Sequence, residues 1–424
     1  MVRPLTRTAL SGYCLTTRRN GTTRRTATTS RREPSTLQVP AQDRWHWEQP
    51  IRLALGTASA LGLARFAYGL LVPAMRGELH WSLAQAGALT TANGLGYLLG
   101  AVASALVARW LSVTATFRLG MVITAVALAA TAVSSSYPVL LLTRAAAGLG
   151  GALVFITGGV IASRVAASAR SAAPLTIYFS GAGLGIALSG TLIPPVLDGD
   201  PGRWPLVWAG LAAGASLATV ISWTAARSSH EINTNASSID LHDLARLWPV
   251  TAAYLLFAAG YIAYITFLSA YLAAHHASVV QVALTWALLG LAAVAAPALW
   301  SRPISTWRDA RALAASLAVL GTASGVALVS ATPAAVTVSA IGYGASFLAV
   351  PAAVTRVVQA AIPPADWTRA LATFTIVFAA GQTAGPYLAG ALADQYGTGA
   401  TLAWTAALCA AGAGLATLTG GLRR

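Results

Sequence analysis

The sequence predicts an all-α polytopic membrane protein of twelve transmembrane helices, arranged as two pseudo-symmetric six-helix halves. Three observations lead there. The chain is 56% hydrophobic and only 9% charged, whereas a soluble protein carries about 25% charged residues. Beyond Pro50 its apolar residues fall into successive runs of a length suited to a hydrocarbon core of about 30 Å. Its arginines gather on one side of that array, which supports an even number of spans.

Residues 1–50 are rich in Arg, Thr and Ser, with clusters at Arg18-Arg19, Arg24-Arg25 and Arg31-Arg32. No apolar core follows these charges, so the stretch is not a secretory signal. The expectation is a disordered cytoplasmic tail drawn to anionic lipid, although a transit peptide has the same composition. The apolar runs then fall near 51–75, 84–108, 116–135, 138–161, 172–195, 204–226, 248–272, 279–300, 311–331, 333–355, 367–393 and 399–420. The longest break, 227–247, is polar, with Ser228, Ser229, Asn233 and Asn235. It divides an N-terminal half at 51–226 from a C-terminal half at 248–424, and is expected to be cytoplasmic. The halves echo one another: Gly62-Leu-Ala-Arg65-Phe66 against Gly260-Tyr261-Ile-Ala-Tyr264, and Gly148-Leu-Gly150 with Arg164 against Gly342-Tyr-Gly344 with Arg356.

Orientation follows from charge. With both termini inside, the inner loops take Arg109, Arg118, Arg164, Arg170, Arg302, Arg308, Arg311 and Arg356 among others, while the outer loops receive only Arg76 and Arg203. The formal charge of +15 resembles a nucleic-acid signature, but it resides in the tail and inner loops, so no nucleic-acid partner is expected. Cys14 and Cys409 fall in different environments, so no disulfide framework is expected.

The twelve acids all fall in the tail, in loops or, for Asp394, at the outer end of the eleventh run, and the six histidines lie outside the runs. No nucleophile, acid–base pair or metal cluster collects at one depth, so neither an enzyme nor a metal or cofactor site is expected. Gly181-Ala-Gly183-Leu-Gly185 and Gly94-Leu-Gly96 sit inside apolar helical runs with no strand before them, which rules out a nucleotide loop.

What the membrane does hold is fixed positive charge. Arg65 falls near the middle of the first run, where an arginine costs roughly 2.5–3.5 kcal/mol on insertion scales, so it should face protein, water or a solute. Taken as one α-helix, that run puts Arg65 and Tyr68 on one face and Gly62 and Gly69 on nearly the same side. Arg65, with Arg144 of the fourth run, could form a cationic site for a carboxylate between the halves. Both could instead brace helices by bonding carbonyls and polar groups. Tyr68, Asn93, Tyr97, Tyr261, Tyr264, Tyr343 and Gln382 supply hydroxyls, amides and ring faces at membrane depth, either as a mixed aromatic and polar solute pocket or as ordinary interhelical bonding.

Twelve spans, paired halves and a polar middle loop resemble the major facilitator superfamily. The stretch with Gly62, Arg65, Phe66, Tyr68 and Pro73, then Trp81-Ser82, then Thr91-Ala-Asn93-Gly94-Leu-Gly96-Tyr97, is similar to its YbfB/YjiJ-type branch. So are Gly260-Tyr261-Ile-Ala-Tyr264 and Gly381-Gln382-Thr-Ala-Gly385-Pro386. The resemblance spans roughly residues 50 to 420 and implies the superfamily fold and alternating access, but little about substrate. Arg144-x3-Gly148 matches the superfamily's signature for the fourth helix. The loop after the second helix departs from pattern: Arg109 remains, but Ala108 stands where an Asp is usual and Leu111 where a Gly is.

The resulting expectation is a secondary transporter, a monomer in the inner (cytoplasmic) membrane, moving a small organic anion or amphiphilic metabolite. The alternative is a multidrug or natural-product efflux transporter for neutral or acidic compounds. With no intramembrane acid or histidine, a proton carrier of the usual kind is not expected in the protein.

Overall fold

The computed structural model describes residues 47–226, 246–363 and 366–421. Cys14 and the arginine clusters of the tail, most of the 227–247 loop, and Arg423 and Arg424 lie outside the described residues.

Twelve helices among the described residues are long and apolar enough to cross a membrane: α1 (Glu48–Leu79), α2 (Leu83–Leu111), α3 (Val113–Ala132), α4 (Tyr137–Ser168), α5 (Ala173–Leu197), α6 (Pro201–Ser222), α7 (Trp248–Ala274), α8 (Val279–Thr306), α9 (Arg311–Val329), α10 (Pro333–Ala361), α11 (Trp367–Tyr396) and α12 (Gly399–Thr417). The start of α1 and the end of α12 lie at one end of the bundle, here the terminal end; the α1–α2 turn lies at the far end. The first helix begins before Pro50, not after it. Pro50 occupies its first turn, where a missing N–H costs nothing because the first N–H groups have no helical partner.

The two halves share one packing scheme. In the first, α1 packs on α5 and α6, α2 on α4, and α3 on α4 and α6. In the second, α7 packs on α11 and α12, α8 on α10, and α9 on α10 and α12. Adding six to each label converts one set into the other. The halves meet along two long seams, α2 against α11 and α5 against α8, and where the far part of α1 crosses α7. These seams follow from small residues: a Cβ on Gly183 would lie 2.7 Å from the Gly290 carbonyl oxygen, so only a glycine lets α5 and α8 approach this closely.

Two helices depart from regular α geometry, both at the depth where the halves face each other. In α1, Ala58–Phe66 is a π-helix, closed by the bond from Ala67 N–H to the Gly62 carbonyl at 3.0 Å. The helix beyond it, Tyr68–Leu79, is α again. In α10, Pro333–Phe347 and Ala349–Ala361 are separated at Leu348. Pro351 causes this break, because it offers no N–H to the Phe347 carbonyl four residues earlier and its ring crowds that group.

The π segment corrects one sequence expectation. Gly62 and Gly69 do not share a side. Gly62 presses on Gly185 of α5, where a Cβ would come 2.5 Å from the Gly185 Cα, whereas Gly69 meets the Ile265 carbonyl of α7 in the other half. A π turn holds more residues than the 3.6 or so of an α turn, so seven residues no longer return to the same face.

Candidate solute-binding site

Arg65 lies in the last turn of the π segment and is 6% exposed. The segment aims its guanidinium across the boundary between halves. Its Nη2 donates to the Tyr261 hydroxyl of α7 at 3.0 Å and to Gln382 Oε1 of α11. The Tyr261 hydroxyl also donates to Gln382 Oε1, at 3.2 Å. The Arg65 guanidinium lies 5.2 Å from the centre of the Tyr97 ring on α2, in cation–π range. Arg65, Tyr97, Tyr261 and Gln382 thus form one cluster that draws on both halves.

The cluster is incompletely paired. Arg65 Nε and Gln382 Nε2 are both buried and lack a hydrogen-bond partner. Each unmatched buried donor costs about 1–3 kcal/mol, more at a charged group. The ion pairs Arg52–Glu48 and Arg203–Asp200 both lie at exposed positions away from the cluster. What the site lacks, therefore, is an acceptor bearing negative charge.

Tyr264 and Tyr343 stand behind Tyr261. Their rings stack at 3.9 Å, the Tyr343 hydroxyl donates to the Tyr261 carbonyl at 2.8 Å, and the Tyr264 hydroxyl is 2.7 Å from Ser339 Oγ. Their hydroxyls are engaged, and they fix the backbone that presents Tyr261.

Arg144 is brought to a different place. It is 1% exposed and lies between the faces of Tyr68 and Trp208, 5.2 and 5.1 Å from their centres, all within the first half. The Tyr68 hydroxyl donates to the Ala86 carbonyl at 2.8 Å, and Asn93 Nδ2 to the Arg144 carbonyl at 3.1 Å. Arg65 and Tyr68 diverge because the π segment ends between them: one turns toward the second half, the other into the first. Arg144 Nε and Nη1 and Asn93 Oδ1 also lack partners.

Phenylalanines that sequence reasoning passed over surround the cluster. Tyr261 stacks with Phe257 at 4.9 Å, Phe378 at 5.5 Å and Phe347 at 6.3 Å. Phe257 and Phe378 stand four residues before Tyr261 and Gln382, on the same helix faces, and that spacing was the available signal.

Outward of Arg65, toward the far end, the halves are tied together. Thr90 and Thr266 hydroxyls lie 3.2 Å apart, and the Thr91 hydroxyl donates to the Thr383 carbonyl at 2.6 Å. At the far rim the Asp394 carboxylate accepts from Leu83 N–H at 2.7 Å and Ala84 N–H at 2.9 Å. These are unpaired amides at the start of α2, whose neighbours are satisfied by the reciprocal Ser82–Gln85 capping bonds.

Twelve spans in two pseudo-symmetric six-helix halves, with polar groups gathered between them, define a secondary transporter of the major facilitator class. A family model described as the uncharacterised MFS-type transporter YbfB matches residues 57–419, and the chain belongs to that family. No curated protein sequence matches. Among solved structures, a bacterial homologue of the human lysosomal transporter Spinster, inward-facing and unoccupied, aligns with a TM-score of 0.64 at 14% identity, covering 88% of this chain and 96% of that one. The nucleoside transporter NupG aligns with a TM-score of 0.63 at 15% identity, covering 88% and 98%. At such identities the likeness is one of fold.

Proposed function

We propose that this transporter moves a small organic anion, bound through its acidic group at Arg65, Gln382, Tyr261 and Tyr97. One observation carries the proposal: a buried guanidinium spans the boundary between halves with no protein carboxylate against it, and its free Nε has an unpartnered amide donor, Gln382 Nε2, in the same cluster. A carboxylate would supply acceptors to both donors and offset the charge. Because the site draws on both halves, occupancy alters how strongly they hold together, which is what alternating access requires.

In this proposal segments 51–226 and 248–424 rock as units about the site. The terminal end faces the cytoplasm of a cell bounded by this membrane, in accord with Arg118, Arg164, Arg302, Arg308 and Arg356 at that end against Arg76 and Arg203 at the other. The protein works as a monomer. The far side of Arg65 is tied by the threonine bonds and Asp394, so in this proposal solute reaches the site from the terminal end.

A thermal-shift screen of acidic, neutral and basic metabolites on the purified protein tests this. At least one organic acid should raise the melting temperature of the parent and leave Arg65→Gln unmoved at equal expression and monodispersity. Stabilisation by neutral or cationic compounds alone, or an equal response from Arg65→Gln, would refute the anion site.

A further inference from the structure

The surroundings of Arg65 narrow the class of anion. Resting on the site proposed above, we infer that the solute is an aromatic monocarboxylate whose acid group meets Arg65 and Gln382 and whose ring lies among the phenylalanines on the terminal side of the cluster.

Two rows of rings run from the terminal end to the guanidinium. In the second half Tyr254 lies 5.2 Å from Phe378, which lies 5.5 Å from Tyr261, the residue that bonds Arg65. In the first half Phe179 lies 5.2 Å from Phe155, which lies 6.5 Å from Tyr97, whose ring sits against Arg65. The rows belong to opposite halves and converge on one charge. Phe155, Phe179 and Phe378 are only half-buried, unlike the rings beyond them. An aromatic solute laid against these rings would gain ring–ring contact that an aliphatic one would not.

The polar accounting sets the number of acidic groups. Hydroxyls of Tyr178, Tyr261, Tyr264 and Tyr343 are all engaged within the protein. The unpartnered buried atoms of the Arg65 cluster are two donors, Arg65 Nε and Gln382 Nε2. One carboxylate matches two donors. A sugar-like or nucleoside-like solute brings several hydroxyls, whereas within the ring rows only Tyr97 and Tyr254 have hydroxyls that are not already engaged. A dianion would bring a second charge that this cluster does not meet, since Arg144 is enclosed between Tyr68 and Trp208 within one half.

The test is binding of four probes to the full-length protein in nanodiscs, followed by calorimetry: 2-naphthoate, 2-naphthamide, benzoate and octanoate. The carboxamide removes the charge and keeps the ring; octanoate keeps the charge and removes the ring. Naphthoate should bind best. Naphthamide should be weaker by about tenfold or more, the order of a lost charge-assisted bond. Phe378→Leu and, independently, Phe155→Leu should each weaken naphthoate roughly 2- to 10-fold, the worth of an aromatic pair, and leave octanoate unchanged. If octanoate binds as well as naphthoate and both leucine variants affect them alike, the aromatic assignment fails while the anion site stands. If naphthamide equals naphthoate, or Arg65→Gln binds naphthoate like the parent, the anion site fails and this inference with it. If neither naphthoate nor benzoate binds to folded parent protein, the aromatic assignment is wrong.

Discussion

Arg65 is held by the two groups that a solute would also use. Gln382 Oε1 takes its Nη2, so the protein satisfies the guanidinium partly and with a neutral acceptor. Gln382→Glu should therefore behave unlike most core substitutions. The new carboxylate pairs with Arg65, so the melting temperature should hold or rise, while affinity for organic acids falls at least tenfold because the cation is already neutralised. Calorimetry with any identified ligand beside a melting curve would check this; retained binding would argue that the anion sits elsewhere. At this scale the sequence was informative where chemistry was out of place. An arginine, a glutamine or a tyrosine in an apolar run announces itself, so Arg65, Tyr97, Tyr261 and Gln382 were visible in advance. Phe155 was not, because a phenylalanine in such a run is what any membrane helix contains, and Phe378 was marked only by its spacing from Gln382. Arg144 was visible as a charge, but its enclosure by Trp208 was not, since nothing in sequence links α4 to α6.

The helices add what side chains alone do not. At the far rim Asp394 on α11 caps the start of α2 in the other half, so a helix end that would ordinarily be satisfied locally becomes a tie between halves. Two charge-assisted bonds at the positive end of a helix contribute about 1–3 kcal/mol. Asp394→Ala should shift the balance toward far-end opening by roughly tenfold. A cysteine at Thr266, in a background lacking Cys14 and Cys409, should then react faster with an impermeant maleimide added from the outside. An unchanged rate would mean that the threonine bonds and packing suffice to keep that end shut. Asp394 could be placed at a helix end in advance but not given a partner, because capping across halves depends on which helices adjoin. The extent of the first helix was misjudged for a local reason: proline reads as a boundary, yet in a first turn it is harmless.

At the scale of the whole molecule the span count, the two-fold plan and the family were all legible, since they rest on hydropathy and recurrence. The seams were not, as α2–α11 and α5–α8 are far apart in the chain. The distribution of charge has a functional corollary. With acids confined to helix ends and loops, a proton that accompanies the solute has no protein carboxylate at membrane depth to ride on. We predict that uptake into proteoliposomes responds to pH only through the solute's own ionisation: rate should track the concentration of one ionic form, with the same apparent pKa as the free acid. Coupled exchange of a permanently cationic compound against protons would contradict this.

The widened turn in α1 bears on how the charge came to be where it is. Ala58–Phe66 accommodates at least one residue more than an ordinary ladder would over the same rise. Shorten it by a residue, for instance by removing Ala60, and the standard hydrogen-bond pattern can close, but the guanidinium turns away from α7 and α11. The placement of the cation at the meeting line of the halves thus depends on chain length as much as on having arginine at that point. A relative with the same arginine and one residue fewer would keep the scaffold and lose the site.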